Sequence, residues 1–97
     1  MDIQKAIMLN DKDNVATLVA DVDKNNVVQV MVGGRLMEIR MQGKTQFGHK
    51  FAIRKINKGD NVIKYGVAIG QATHDIEEGQ HVHVHNVESL RARGDLV

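Results

Sequence analysis

Three imidazoles at alternate positions, in His81-Val82-His83-Val84-His85-Asn86, form the densest group of reactive side chains in the sequence. If the run is extended, residues two apart project to one side, so Val82 and Val84 face the interior and the imidazoles face out together. Neighbouring histidines then stand ~6.6 Å apart along the strand, at ~3.3 Å per residue. Their rings can lean onto one ion held by bonds of ~2.0–2.1 Å. His81 and His85 are ~13 Å apart on the same arithmetic and do not share an ion. At most two of the three therefore bind one metal, and His83 and His85 are the preferred pair, with other ligands from elsewhere. The nearest acid, Asp75, opens the preceding loop. Imidazole completed by oxygen ligands suits iron(II), manganese(II) or zinc. An ordinary polar face of a half-exposed strand accounts for the same spacing.

A second group, His49-Lys50-Phe51-Ala52, follows Gly48. If a strand begins here, His49 shares a side with Phe51 and Ile53, and Lys50 shares one with Ala52. His49 is then either a rim residue near the imidazole face or a hydrogen-bonded histidine at the edge of the core. A lysine projecting into a pocket can hold a carboxylate or stabilise a developing enolate, although most lysines are simply solvated. The single tyrosine, Tyr65, is preceded by Lys64 and offers a polar tip to a site or a structural contact. The glycines around it, Gly66 and Gly70, do not form a phosphate-binding loop; they fit bulges or close backbone contact. Ser89 is the only serine and no Gly-x-Ser-x-Gly occurs, which argues against serine-hydrolase chemistry.

The elements that position these groups are read from turns and alternation. Turn-forming clusters recur about every ten residues, at Asp11–Asn14, Asp23–Asn26, Gly33-Gly34, Gly43, Gly48, Asn57–Asp60 and Glu77–Gly79. That rhythm predicts a small, mostly β domain of sandwich-like or barrel-like form. Between Arg35 and Met41, the residues Met37, Ile39 and Met41 share one face while Glu38 and Arg40 share the other, as in a half-buried strand. Ala16–Ala20 and Val27–Val32 read as more fully buried strands. One pattern occurs three times: an aliphatic residue, two polar residues, Gly or Asn, two more residues, then Val. The copies begin at Val22, Ile56 and Ile76 and place Asn25, Gly59 and Gly79 where positive φ is needed. At most a short helical turn is expected, over Glu88–Arg93, and the end from Arg93 to Val97 is expected to fray.

Composition bounds the rest. Ninety-seven residues suffice for one domain, 1–97, and with aromatics at 3% its core must be aliphatic. The β-branched residues that dominate it favour pleated strands. The formal charge is +1 with signs interspersed, and neither a basic face nor stacking aromatics marks a nucleic-acid partner. No stretch approaches the ~20 apolar residues that span a bilayer, and Met1–Lys5 does not open a secretory signal. The absence of Cys fits a reducing cytoplasm. Edge strands and the face of Met37 and Met41 are available to a partner or a second copy, and core packing explains those methionines equally well.

Six motifs in one order carry a resemblance: Asp13-Asn14-Val15-Ala16, Gly48-His49-Lys50-Phe51-Ala52, Lys58-Gly59-x-x-Val62-Ile63-Lys64-Tyr65-Gly66, Ile69-Gly70-x-Ala72, Asp75-Ile76-x-x-Gly79 and His81-Val82-His83-Val84-His85-Asn86. Together they resemble the N-terminal SAF domain of the altronate dehydratase family, along essentially the whole chain. The resemblance implies a β-clip fold of bent strands that fold over on themselves. It also implies a non-autonomous small subunit or domain of a sugar-acid hydro-lyase, partnered by a much larger catalytic part and dependent on iron(II) or manganese(II). The leading reaction is altronate to 2-keto-3-deoxygluconate. On this reading His49 and Lys50 are the candidate catalytic residues, Lys64, Tyr65 and Asn86 candidate substrate contacts, and His83 and His85 candidate metal ligands. The small subunit of sulfolactate sulfo-lyase is a close rival, and a non-catalytic SAF-type binding module is the alternative from another class.

Overall fold

The computed structural model describes residues 4–89. Nine short strands follow in order: β1 (Gln4–Leu9), β2 (Val15–Thr17), β3 (Val27–Val32), β4 (Arg35–Arg40), β5 (Lys50–Ala52), β6 (Asn61–Lys64), β7 (Val67–Ala72), β8 (His81–Val82) and β9 (Val87–Ser89). They form three three-stranded sheets, β1-β3-β4, β2-β5-β8 and β6-β7-β9. All pairings are antiparallel except that of β1 with β3. The described residues contain no helix, so none long and apolar enough to cross a membrane. The mostly β, repeatedly folded-back architecture expected from the turn rhythm is the one observed. Glu88 and Ser89 belong to β9 rather than to a helical turn; the rest of the expected C-terminal turn and the expected frayed end lie outside the described residues.

The repeated pattern is the frame of the fold. In each copy a buried bridge residue precedes a four-residue turn whose third position has positive φ, and a new strand follows. The turns close by backbone hydrogen bonds from Asn26 to Asp23, Asp60 to Asn57 and Gln80 to Glu77. Their third residues, Asn25, Gly59 and Gly79, have φ of 73°, 93° and 85°, the signature of type II turns. A fourth copy, missed in the sequence, runs from Thr45 to Phe51: His49 N–H donates to Gln46 C=O, and Gly48 has φ of 85°. The bridge residues pair two by two, Val22 with Thr45 and Ile56 with Ile76. Between the members of each pair lies a hairpin, β3–β4 or β6–β7, with positive φ at both central turn residues (Gly33 and Gly34; Tyr65 and Gly66). That is the type I′ geometry matched to strand twist.

Two apolar clusters fill the interior. One gathers Leu18, Val22, Val30, Ile39, Met41 and Phe51 among others, and the second gathers Val15, Ile56, Val62, Ile76 and Val82. Met41 is fully buried and Met37 packs against the first cluster, so core packing accounts for both methionines. β4 shows the expected alternation. β3 departs from the expectation of full burial: Val28, Val30 and Val32 are buried while Val27, Gln29 and Met31 are half-exposed, because only one face of its sheet meets the core. Val19 is likewise exposed.

The segment before β2 is tied to the β6–β7 hairpin. Asp13 is fully buried, and its carboxylate accepts the N–H groups of Tyr65 (2.9 Å) and Gly66 (2.7 Å). The Asn14 side chain accepts from Ile63 N–H at 2.7 Å and donates to Asn61 C=O at 2.8 Å. Charge-assisted bonds of this kind hold Tyr65 in a left-handed conformation that costs a non-glycine residue about 1 kcal/mol.

Candidate functional site

β5 and β8 are the strands that follow the second copy of the turn in each pair, and they lie side by side. Their register sets Phe51 opposite His81 and Lys50 opposite Val82. Carried one step further along one face, it sets His49 opposite His83. Directly opposed residues of an antiparallel pair share a face, so His49, His81 and His83 gather on one side while Lys50 and Val82 take the other.

The imidazoles converge, though not in the way alternation predicted. The extended run ends at Val82, and residues 83–86 turn. Val84, expected in the core, is 81% exposed at the apex of that turn. Asn86 is the cause. Its side chain is buried, accepts His83 N–H at 2.9 Å and donates to His81 C=O at 2.9 Å. The backbone N–H groups of Asn86 and Val87 both donate to His83 C=O. An acceptor and donor that satisfy the backbone locally compete with the strand ladder. Both ends of the amide of Asn86, an expected substrate contact, bond the backbone of this turn and shape it.

The turn draws the rings together. His49 Nδ1 and His81 Nε2 are 2.9 Å apart, a hydrogen bond in which one ring must donate and the other accept. Ring centroids lie 5.5 Å apart for His49 and His83, for His81 and His83, and for His81 and His85. The last pair of rings meets although a straight strand would hold the two backbones ~13 Å apart. One nitrogen each from His49, His81 and His83 lies within 4.8 Å of the other two. That trio is the set of three the structure brings within reach of a common ion; the His85 ring, of the expected pair with His83, lies outside it, beside His81. Burial first, then the neighbouring His49, His85, His83 and Lys50, hold the His81 imidazole below the ordinary histidine range. Its neutral form, the one able to ligate a metal or take up a proton, is thereby favoured.

The opposite side of the same two strands opens into an apolar recess of about 250 Å³ lined by Lys50, Val62, Ile69, Val82, His83 and Val87 among others. His83 borders both the imidazole trio and this recess, so a ligand there can meet Lys50 and an imidazole at once. Thr17 pairs with Lys50 across β2 and β5, and its buried hydroxyl has no hydrogen-bond partner.

Of the residues singled out in the sequence, His49 and His83 come together with His81, and Lys50 meets His83 at the recess. Lys64 and Tyr65 sit instead at the β6–β7 tip, with the Lys64 ammonium 5.2 Å from the Tyr65 ring centre and the Tyr65 backbone held by Asp13. They do not line the recess. Asp75, the nearest acid in sequence, accepts from Lys58 N–H at 2.8 Å and is not part of the trio. The missed member, His81, stands two residues after Gly79 whereas His49 follows Gly48 directly, so only the pairing of β5 with β8 brings the two together.

Comparison with known proteins gives one consistent result. The family model of the altronate/galactarate dehydratase SAF domain matches residues 4–90. Altronate dehydratase of Escherichia coli (strain K12) is 42% identical over 83 residues, and that of Bacillus subtilis (strain 168) 32% identical over 83 residues. In both cases the match covers 86% of this chain but only 16% of the relative. The (2R)-sulfolactate sulfo-lyase subunit alpha of Chromohalobacter salexigens is 42% identical over 62 residues, covering 64% of this chain and 66% of the relative.

Proposed function

The chain belongs to the altronate/galactarate dehydratase SAF-domain family, and from that premise we propose that it is the small, non-autonomous part of a sugar-acid hydro-lyase that converts altronate to 2-keto-3-deoxygluconate and water. A chain spanning 16% of its dehydratase relatives leaves most of the catalytic machinery to a larger partner or to further chain. What this part contributes is inferred from one observation: three imidazoles gather on one side of β5 and β8, and one of them, His83, also borders the recess that holds Lys50.

Elimination of water removes a weakly acidic proton beside a carboxylate, so positive charge or hydrogen-bond donors must stabilise the enediolate that develops. Lys50, on the wall of the recess, supplies a fixed cation for the substrate carboxylate. Without a metal, His49 and His81 share one proton between Nδ1 and Nε2; when Nε2 of the neutral His81 ring carries it, Nδ1 is left as the acceptor. A divalent metal fits the trio by its donor set: three imidazoles suit iron(II) or zinc, whereas manganese(II) favours carboxylate and water. His49, His81 and His83 would hold it, and when bound it supplies Lewis acidity.

The test is reconstitution with a large dehydratase part and iron(II). Formation of 2-keto acid from altronate should require both components, and His81→Ala combined with His83→Ala should abolish it while the small part keeps its β-rich circular dichroism. Full activity of the double variant would exclude the assignment. A second reading, the small subunit of a sulfolactate sulfo-lyase, is favoured by the coverage of that relative, itself a subunit. Release of sulfite from sulfolactate, with no turnover of altronate, would select it.

A further inference from the structure

On another part of the surface, Asp11, Val32, Gly33, Arg35, Met37 and Arg54 line an open recess of about 390 Å³. We propose that this recess is a binding site for a small hydroxy-monocarboxylate. The inference does not rest on the histidine trio and stands or falls separately from it.

Arg35 is placed by the pleat of β4. It shares a face with Met37 and Ile39, whose burial deepens along the strand, so its guanidinium continues the core-facing row to the rim. Arg54 follows directly on the buried Phe51, Ala52 and Ile53. Two elements far apart in sequence thus deliver two cations to one concavity. Neither guanidinium is hydrogen-bonded or ion-paired among the described residues. Arg40, on the same strand as Arg35, by contrast donates to Asn25 C=O at 3.0 Å. Two like charges facing one recess repel, and a bound anion relieves that repulsion.

The lining specifies the ligand. Two guanidinium groups and one carboxylate leave a net charge of one, which a single carboxylate neutralises. The planar fork of arginine matches a carboxylate in bidentate fashion. Asp11, an acceptor only, calls for a ligand that also carries hydroxyl donors. It lies close against the turn: a Cβ at Gly33 would come within 2.6 Å of Asp11 Cβ. Val32 and Met37 form a floor for the carbon skeleton. The volume falls within the range of small-molecule sites.

D-Gluconate serves as the probe, titrated into the full 97-residue chain and followed by amide ¹H–¹⁵N spectra, with glucose and sodium chloride as controls. Saturable shifts are expected at Gly33, Gly34 and Arg54. Arg35→Gln and Arg54→Gln should each weaken binding about tenfold or more, as loss of a charged hydrogen-bonding partner does. Arg35→Lys, which keeps the charge and loses the fork, should fall between, and the spectra report directly that each variant is folded. Asp11→Asn should erase the preference for gluconate over hydroxyl-free hexanoate. Absence of saturable shifts at these amides, equal shifts with glucose or chloride, or unchanged affinity in both Gln variants would each overturn the proposal.

Discussion

In the first half of the domain Val22 pairs with Thr45 and the hairpin β3–β4 hangs between them; in the second, Ile56 pairs with Ile76 and β6–β7 takes the same place. Each half contains two type II turns, one entering its hairpin and one leaving toward the central sheet. The first half fills the cluster around Phe51, Ile39 and Met41. The second covers the smaller cluster and borders the recess beside Lys50. The candidate site lies on neither hairpin. It lies where the outgoing turns of the two halves deliver β5 and β8 next to each other, so that His49-Lys50 from one meets His81 from the other. A repeated frame thus creates a candidate site at a place where its two copies touch.

The frame can be tested at corresponding turn positions. Gly59 and Gly79 both have positive φ, but a Cβ at Gly59 meets nothing within 4 Å, whereas one at Gly79 would overlap the Arg40 carbonyl oxygen. Gly79→Ala should therefore cost about 3 kcal/mol or more, and Gly59→Ala only about 1 kcal/mol, in urea denaturation. Equal costs would show that the halves do not pack as closely at that turn as described.

A smaller effect separates the junction from the frame. The folded pKa of His81 is lowered by burial and by His49, His85, His83 and Lys50, so the unfolded chain takes up that proton first as pH falls. The contribution is intact above the unfolded value of about 6.5 and is lost as pH drops below it toward the folded value. Denaturation midpoints should decline across this window in the native sequence and decline less in His81→Gln. Identical pH profiles would remove the linkage. The smallest effect is expected at Asn25, the one non-glycine among the four turn positions with positive φ. Asn25→Gly exchanges mild strain for a freer unfolded chain, and its denaturation midpoint should move by the equivalent of about 0.5 kcal/mol or less. A larger shift would mean that this turn is not equivalent to the other three.

Much of the frame was legible because each of its parts has a chemical reason. Gly or Asn at the third turn position, flanked by an aliphatic bridge residue and a strand-forming Val, marked three of the four copies. The fourth escaped because Thr45 and Phe51 stand where the others have aliphatic residues, although Thr45 is as buried as its counterparts. The candidate site was legible in composition and misread in conformation. Alternating His and Val satisfies the period of a strand, and that pattern carries no information about the Asn86 side chain, which reaches back to His81 and His83. The ring arrangement depends on those two bonds and on the pairing of β5 with β8, and the latter is a contact between halves that local periodicity does not encode. The tip at Lys64 and Tyr65 looked reactive for the same reason: the partner that explains its geometry, Asp13, is 52 residues away.

That Asp13 contact also bears on how the chain reaches its native state. A carboxylate fixed by backbone groups of a turn 52 residues later finds its partners only after a long loop has closed, and the entropy of closure must be met before any of the bonds form. The β6–β7 turn can assemble locally, but the N-terminal segment locks only when that turn is already in place. Such non-local order predicts slow refolding for so short a polypeptide, in the millisecond-to-second range of β-rich domains, with the N-terminal strand among the last elements to become protected from solvent exchange.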